Sequence, residues 1–377
     1  MKAFVWVLAA AACCTPAALA AQHEPGADHH VPSRPETVTW GDFPMDRAPV
    51  LRMKSGETVR IDAISHAGAT QNDEPVAYMA SLGVPASEVL QDAIDFWKSR
   101  DGRPRDGRAG HVITGPVYVE GADPGDVLKI EILDLDTRVP WGINSTSATG
   151  GVFSPDYPGF IEGEPALEIP GGTRHLIRTG VNAHGEEVAF FAEGIEVPMH
   201  PFMGIMAVAP EDPTVGQPGV SVAGVQSSRP PGPFGGNMDV RDLGAGTTLY
   251  LPVFHPGALF YVGDPHGMQG DGEVSGTAIE QSVTGVFRLT VLEGIPIDGP
   301  WAENDTHYIL MGIDLDLDRA MRRAVREVVD FLVAEKGLTP AKALSLASVG
   351  VDFRVGEAVD LTQIVTGYVP KDYFLEP

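Results

Sequence analysis

The chain has 377 residues, with 51 acidic and 26 basic side chains and a formal charge of −25. So acidic a protein repels phosphates, which argues against nucleic acid and anionic membrane surfaces as partners. Its 44 glycines and 32 prolines demand many turns and favour a β-rich architecture over a helical bundle.

Met1 and Lys2 form a short basic start, Ala3 to Ala12 an apolar run, and Ala18-Leu19-Ala20 a small-x-small cleavage site. Residues 1–20 therefore read as a secretory signal, too short in its apolar part to stay as a transmembrane helix. The expected location is periplasmic or secreted, without membrane contact after cleavage unless Cys13 is lipidated. Both cysteines, Cys13 and Cys14, fall inside the signal, so the mature chain has no disulfide, cysteine nucleophile or thiolate ligand. Cleavage removes one lysine and no acid, taking the charge from −25 to −26.

Residues 21–37, polar and carrying His23, His29 and His30, read as a flexible leader. The rest, 38–377, is long enough for one large domain or two interlocked subdomains. Strands are expected at Val38-Thr39-Trp40, at Val50 to Met53 and over Glu57 to Ile61, where apolar and polar residues alternate. Residues 86–100 read as a helix capped by Ser87, with Val89, Leu90, Ile94 and Trp97 on one face. A basic loop (RDGRPRDGRAG) follows, then a strand over Val127 to Leu135. Residues 136–185, rich in Gly, Pro, Ser and Asn, suit a lid or pocket wall. From Asp316 a helix with apolar residues at helical spacing runs to Gly337, and Thr339-Pro340 opens a second helix to about Leu346.

The chemistry-bearing residues concentrate in 234–280. Asp264 and His266 stand two apart after an apolar run, so in an extended segment they share a face. Asp271 and Glu273 repeat that spacing among Gly267, Gly270 and Gly272, which would let the two acidic pairs meet. Asn237 and Asp239 lie in a GGNMD turn, and Glu280 ends a short apolar segment. On spacing alone, a metal site and a solvated acidic turn are equally good readings. His66, His111 and His200 are weaker candidates. No nucleophile-elbow or serine–lysine signature occurs.

Several passages resemble the acetamidase/formamidase family: TGPVYVEGADPGDVLKIEIL (114–133), PMHPFMGIMAVAPED (198–212), GGNMDVRDLGAGTTLYLPV (235–253) and GALFYVGDPHGMQGDGEVSGTAIE (257–280). VREVVDFLVAEKGLTPAKALSLASVGVDFRVGEAVD (325–360) and VPKDYF (369–374) extend the match. The resemblance implies a mainly β (α+β) fold, with a sandwich- or barrel-like core, added helices and a C-terminal helical pair, often assembled as a homo-oligomer. It implies hydrolysis of a short linear amide to a carboxylate and ammonia, with a divalent metal in the site. Carried across, Asp239, Asp264 and His266 would hold the metal or neighbour it, and Glu280 and Glu273 would move protons; from their own positions in the sequence, Asn237, Gln269 and His111 are read as substrate contacts. A histidine among carboxylates favours zinc, while oxygen-rich ligands also suit calcium or magnesium. Two other readings use the same residues: an esterase or lactonase, and a non-catalytic periplasmic binding protein with a structural metal.

Overall fold

The computed structural model describes residues 26–295 and 297–375, so the signal expected over 1–20 lies outside the described residues. In chain order the first elements are β1 (His29–Val31), β2 (Val38–Trp40), β3 (Leu51–Lys54), β4 (Thr58–Ala63), α1 (Pro75–Ser81) and α2 (Gln91–Ser99). There follow β5 (Val112–Glu120), β6 (Val127–Thr137), β7 (Trp141–Thr146), β8 (Thr173–Val181), β9 (Glu187–Ala192) and β10 (Ile195–Pro198). The site-bearing middle contains β11 (Phe202–Ala207), β12 (Gly235–Asn237), β13 (Thr248–Pro252) and β14 (Phe260–His266). The chain closes with β15 (Val283–Leu292), β16 (Trp301–Glu303), β17 (His307–Asp314), α3 (Leu317–Lys336), α4 (Pro340–Gly350), β18 (Asp352–Glu357) and β19 (Gln363–Pro370).

A nine-stranded sheet runs β1-β4-β15-β6-β13-β16-β17-β19-β18, and a six-stranded sheet runs β12-β11-β14-β5-β2 with β3 also on β5. Their facing sides share one core. Ile61, Ile130, Leu249, Phe287 and Leu289 come from the larger sheet, and Ile113, Val117, Phe202, Ile205 and Phe260 from the smaller. Phe260 and Phe287 meet edge to face across it, with centroids 5.9 Å apart. The β-sandwich with added helices is thus the observed fold, built from inward-pointing alternate residues.

A four-stranded sheet, β10-β9-β8-β7, stands against one end. Its strands β7 and β8 come from the segment expected to act as a lid or wall, and β9 and β10 follow that segment. Through Ile143 of β7 it does form a wall, because Ile143 exchanges two main-chain hydrogen bonds with Glu280.

The C-terminal helical pair forms as the sequence predicts. Asp316 accepts from the Arg319 N–H at the start of α3, and Gly337 ends it in the left-handed region at φ 65°. Against α3, Gly312 of β17 is obligatory: a Cβ there would stand 2.2 Å from Ala320 O and from the Ala324 nitrogen. Helix α4 begins at Pro340 behind Thr339 and runs on to Gly350, four residues past the expected end.

Two expectations fail. The flexible leader is instead pinned from residue 29 onward: β1 pairs in parallel with β4, and Val31 is buried. His29 and His30 each lie 2.8 Å from a carboxylate, Glu57 and Asp62 respectively, while His23 lies outside the described residues. The helix expected over 86–100 is broken. Ala86–Glu88 make a single tight turn, Val89 and Leu90 are extended, and α2 starts only at Gln91 without a side-chain cap. Tertiary contacts override the propensity there, since Glu88 pairs with Arg178 and its carbonyl accepts from the Trp141 indole. Helix α1, not expected, is capped by Glu74 with Pro75 in its first turn.

Candidate active site

Strand β14 delivers Asp264 and His266 to the open end of the six-stranded sheet, both buried. Its backbone bends to do so, because Asp264 has φ 47°. Asp239 (φ 47°) and Glu273 (φ 43°) are also left-handed. A non-glycine residue pays roughly 1–2 kcal/mol for that conformation, so three strained acids in one place mark a functional site. His266 Nε2 stands 3.3 Å from Asp264 Oδ2 and 3.3 Å from Glu280 Oε1, and its Nδ1 lies 3.8 Å from Asp239 Oδ1.

Each neighbour is held by main chain. Glu280 is fixed between β14 and β7, and its Oε1 accepts the Ala278 N–H at 3.1 Å. The glycine-rich turn carrying Glu273 docks on β18 through Gly272 N–H to Gly356 O, 2.9 Å. That contact brings in Glu357 and Asp360, which the sequence reading left without a role. The Glu357 carboxylate accepts the N–H groups of Val359 and Asp360. Asn237 Nδ2 donates to Asp239 Oδ2 at 2.7 Å and also to Asp360 Oδ2. Gln269 Nε2 donates to the main-chain oxygen of Asp239, so this amide braces the cluster as well as facing it. On the solvent side, His66 Nδ1 is 3.3 Å from Asp264 Oδ1 and 3.5 Å from Glu280 Oε2. His111 Nε2 is 3.8 Å from Asp264 Oδ2.

All eight residues assigned a role from the sequence therefore converge, and His66, Glu357 and Asp360 join them. Asp271 does not: it turns away to pair with Arg241 at 3.0 Å. One glycine alternation thus sends Glu273 inward and Asp271 outward, against the expectation that both acids meet the site. His200 packs over Gly244, away from the cluster. Glu357 closes the mixed strand β18 and Asp360 follows it, with no local spacing that ties them to the 234–280 stretch.

The donor atoms fall into overlapping groups, each with atoms within 4.8 Å of one another: His66, His111 and Asp264; Asp239, Asp264 and His266; His266, Glu273 and Glu280; and Asp239, Glu273, Glu357 and Asp360. Burial, reinforced by mutual repulsion, pushes the carboxyls of Asp239, Glu273 and Glu357 well above the usual range. Asp264 is held well below it: burial opposes, but the His111 and His266 rings prevail. Against burial, Glu280 and then Asp264 raise His266 strongly and His66 to about 9. Asp239 Oδ1, Glu280 Oε2, Glu357 Oε2, Asn237 Oδ1, Gln269 Oε1 and both His266 nitrogens are buried without a hydrogen-bond partner among the described residues. Each such orphan costs about 1–3 kcal/mol. So many unpaired acceptors among crowded carboxylates fit a bound divalent cation, with His and carboxylate donors and no sulfur.

The acetamidase/formamidase family model matches residues 98–218 and 220–376. The chain belongs to the acetamidase/formamidase family. The resemblance expected from the sequence holds, and the clustered residues from Asn237 through Asp360 lie within the matched residues, as does His111, while His66 lies outside them. A formamidase of Methylophilus methylotrophus is 25% identical over 373 residues, covering 78% of this chain and 87% of its own. A formamidase homologue of Schizosaccharomyces pombe is 31% identical over 203 residues, 44% of this chain and 47% of that protein, so the match spans about half of that relative's length. Among solved structures, an acetamidase from Yersinia enterocolitica is 26% identical, with a TM-score of 0.70 and coverage of 92% and 93% of the two chains. An acetamidase from Bacillus halodurans, at 24% identity and a TM-score of 0.70, shares the fold over 92% of this chain and 98% of its own.

Proposed function

We propose that this acetamidase/formamidase family member is a metal-dependent amidohydrolase acting on short linear amides outside the cytoplasm. The observation that carries the reading is the crowded donor set of Asp239, Asp264, His266, Glu273 and Glu357 inside the family-matched region, with orphaned atoms on Asp239, His266 and Glu357. Asp239, Asp264 and His266 would hold the ion, with Glu273, Glu357 and Asp360 completing the carboxylate side. A divalent ion held by these residues would supply Lewis acidity toward an amide carbonyl and a water molecule. The His-containing part of the set favours zinc, and the all-carboxylate part suits calcium or magnesium.

The chain's own residues then account for the proton traffic. Glu280 Oε1 is tied to Ala278, which leaves Oε2 open toward His66. Oε2 takes a proton from the attacking water, and the Glu280–His66 pair returns it to the departing nitrogen. The carbon–nitrogen bond breaks, water supplies the hydroxyl, and the products are a carboxylate and ammonium. His66 is part-exposed at the mouth, where it can meet the leaving group.

Export is part of the proposal and rests on the signal-like residues 1–20. Among the described residues no helix is long and apolar enough to cross a membrane. Assembly as a homo-oligomer is likewise proposed, supported by Phe190, Phe191 and Ile195, exposed at the tip of the β8–β10 arm. The test is ammonia release from formamide, acetamide and longer amides before and after chelation, with zinc, calcium or magnesium restored singly. No turnover of any amide under any loading refutes the reading.

A further inference from the structure

Two adjacent residues outside the donor set reach its opposite ends. Ser228, fully buried, shares a 2.9 Å hydrogen bond between its Oγ and Nδ1 of His111. The main chains of both residues are tied to Gly41: Ser228 N–H donates to Gly41 O at 2.8 Å, and Gly41 N–H to His111 O at 2.9 Å. The next side chain, Arg229, points the other way. Its Nε lies 3.3 Å from Asp360 Oδ1, and its Nη2 donates to Val359 O at 3.1 Å. Asp360 passes the constraint on, since its Oδ2 accepts from Asn237, whose amide also bonds Asp239. One short segment thus holds an imidazole at one end of the cluster and a carboxylate at the other.

We propose that Ser228 and Arg229 are positioning residues that set the protein's affinity for its divalent ion. Neither side chain is a member of the donor groups. Ser228 engages Nδ1 and so leaves Nε2 of His111 as the nitrogen facing Asp264. Arg229 fixes one oxygen of Asp360 and directs the other to Asn237, keeping the carboxylate pointed inward. Partners of this kind typically change metal affinity by about 10–100-fold. Arg229, half exposed, is also the one arginine or lysine paired with the Asp239–Glu273–Glu357–Asp360 group among the described residues. The inference rests on the metal reading given above.

The test is zinc binding to the full-length chain, measured by competition with a chromophoric chelator. Ser228→Ala and Arg229→Gln should each weaken binding about 10–100-fold, and Arg229→Lys should recover most of the loss. Thermal unfolding of the chelated proteins should differ little between parent and variants, since a merely structural role would move that and not the affinity. A second measurement needs no variant: imidazole-nitrogen NMR of the chelated parent should show His111 as a single tautomer. Parental affinity in both variants, or a mixture of His111 tautomers, overturns the proposal. A parent chain that binds no divalent ion at all refutes the metal reading itself, and this inference with it.

Discussion

His266 Nε2 and Glu280 Oε1 lie 3.3 Å apart across the seam between the six-stranded and four-stranded sheets. The contact joins the end of β14 to a residue locked onto β7, so the two sheets meet at the proposed proton-transfer group. Glu280→Gln keeps the shape, and its side-chain oxygen can still accept from Ala278. Only the basic oxygen is lost. The expected result is a fall in kcat of about 100-fold or more, with some loss of thermal stability because Glu280 is the foremost charge raising His66 and His266. Parental ammonia release from the variant would remove Glu280 from the mechanism.

Gly204 of β11 lies alongside the bend at Asp264, between the Met203–Pro265 and Ile205–Gly263 pairs. A Cβ there would stand 2.2 Å from Asp239 Oδ1, 3.0 Å from Asp264 O and 3.1 Å from His266 Cε1. Gly204→Ala should therefore displace Asp239 and His266, the proposed ligands, directly and cost about 1–3 kcal/mol by overpacking. Denaturant unfolding together with zinc titration checks this. A variant with parental stability and parental uptake would show that the cluster relaxes freely.

Metal removal should expose the repulsion that the orphaned carboxylates store. An ion held only by the folded state stabilises it by about 2.7 kcal/mol at a free concentration one hundred times its dissociation constant. Chelation should lower the unfolding midpoint, and the shift should grow with added metal. Midpoints that ignore chelator and metal alike contradict a bound ion.

Phe287, fully buried, contributes the nine-stranded sheet's half of the aromatic contact with Phe260. Phe287→Ala leaves a void between two rigid sheets and should cost about 3–5 kcal/mol. Gly285 is packed against the same ring, with a built Cβ 2.4 Å from Phe287 Cζ, so the site has little means of collapsing. Urea unfolding measures the loss; a cost below about 1 kcal/mol would mean the sheets close over the gap.

What the sequence revealed depended on distance along the chain. Asp264, His266, Glu273 and Glu280 are close neighbours in sequence, so spacing and glycine content sufficed to group them. Glu357 and Asp360 join only because Gly272 bonds Gly356 between distant segments, a pairing no local pattern encodes. The leader misled for the same reason: a three-residue strand shows no periodicity, and its order comes from parallel pairing with β4. The β-sandwich and the C-terminal helices were legible because alternation, capping residues and Gly337 are local signals. The break at Val89-Leu90 was not, since the contacts that impose it come from β7 and β8.

Glu327, half-buried on α3 and remote from the cluster, predicts a pH dependence independent of any metal. Burial, then Asp330 and Asp298, raise its carboxyl from the ordinary 4.5 to about 7 against the opposition of Arg323 and Arg326. The folded protein therefore keeps this proton after the unfolded chain has released it. Between pH 4.5 and about 7 the native state binds more protons, so stability falls as pH rises and levels off above that window. Allowing for solvent screening, the swing is on the order of 1–3 kcal/mol. Glu327→Gln cannot ionise and should match the parent near pH 4, then exceed it in stability by that amount at pH 8. Urea unfolding of both proteins across this range, at fixed metal, measures the difference. Parallel curves would mean that Asp298 and Asp330 move away when Glu327 ionises, leaving its proton uncoupled from folding.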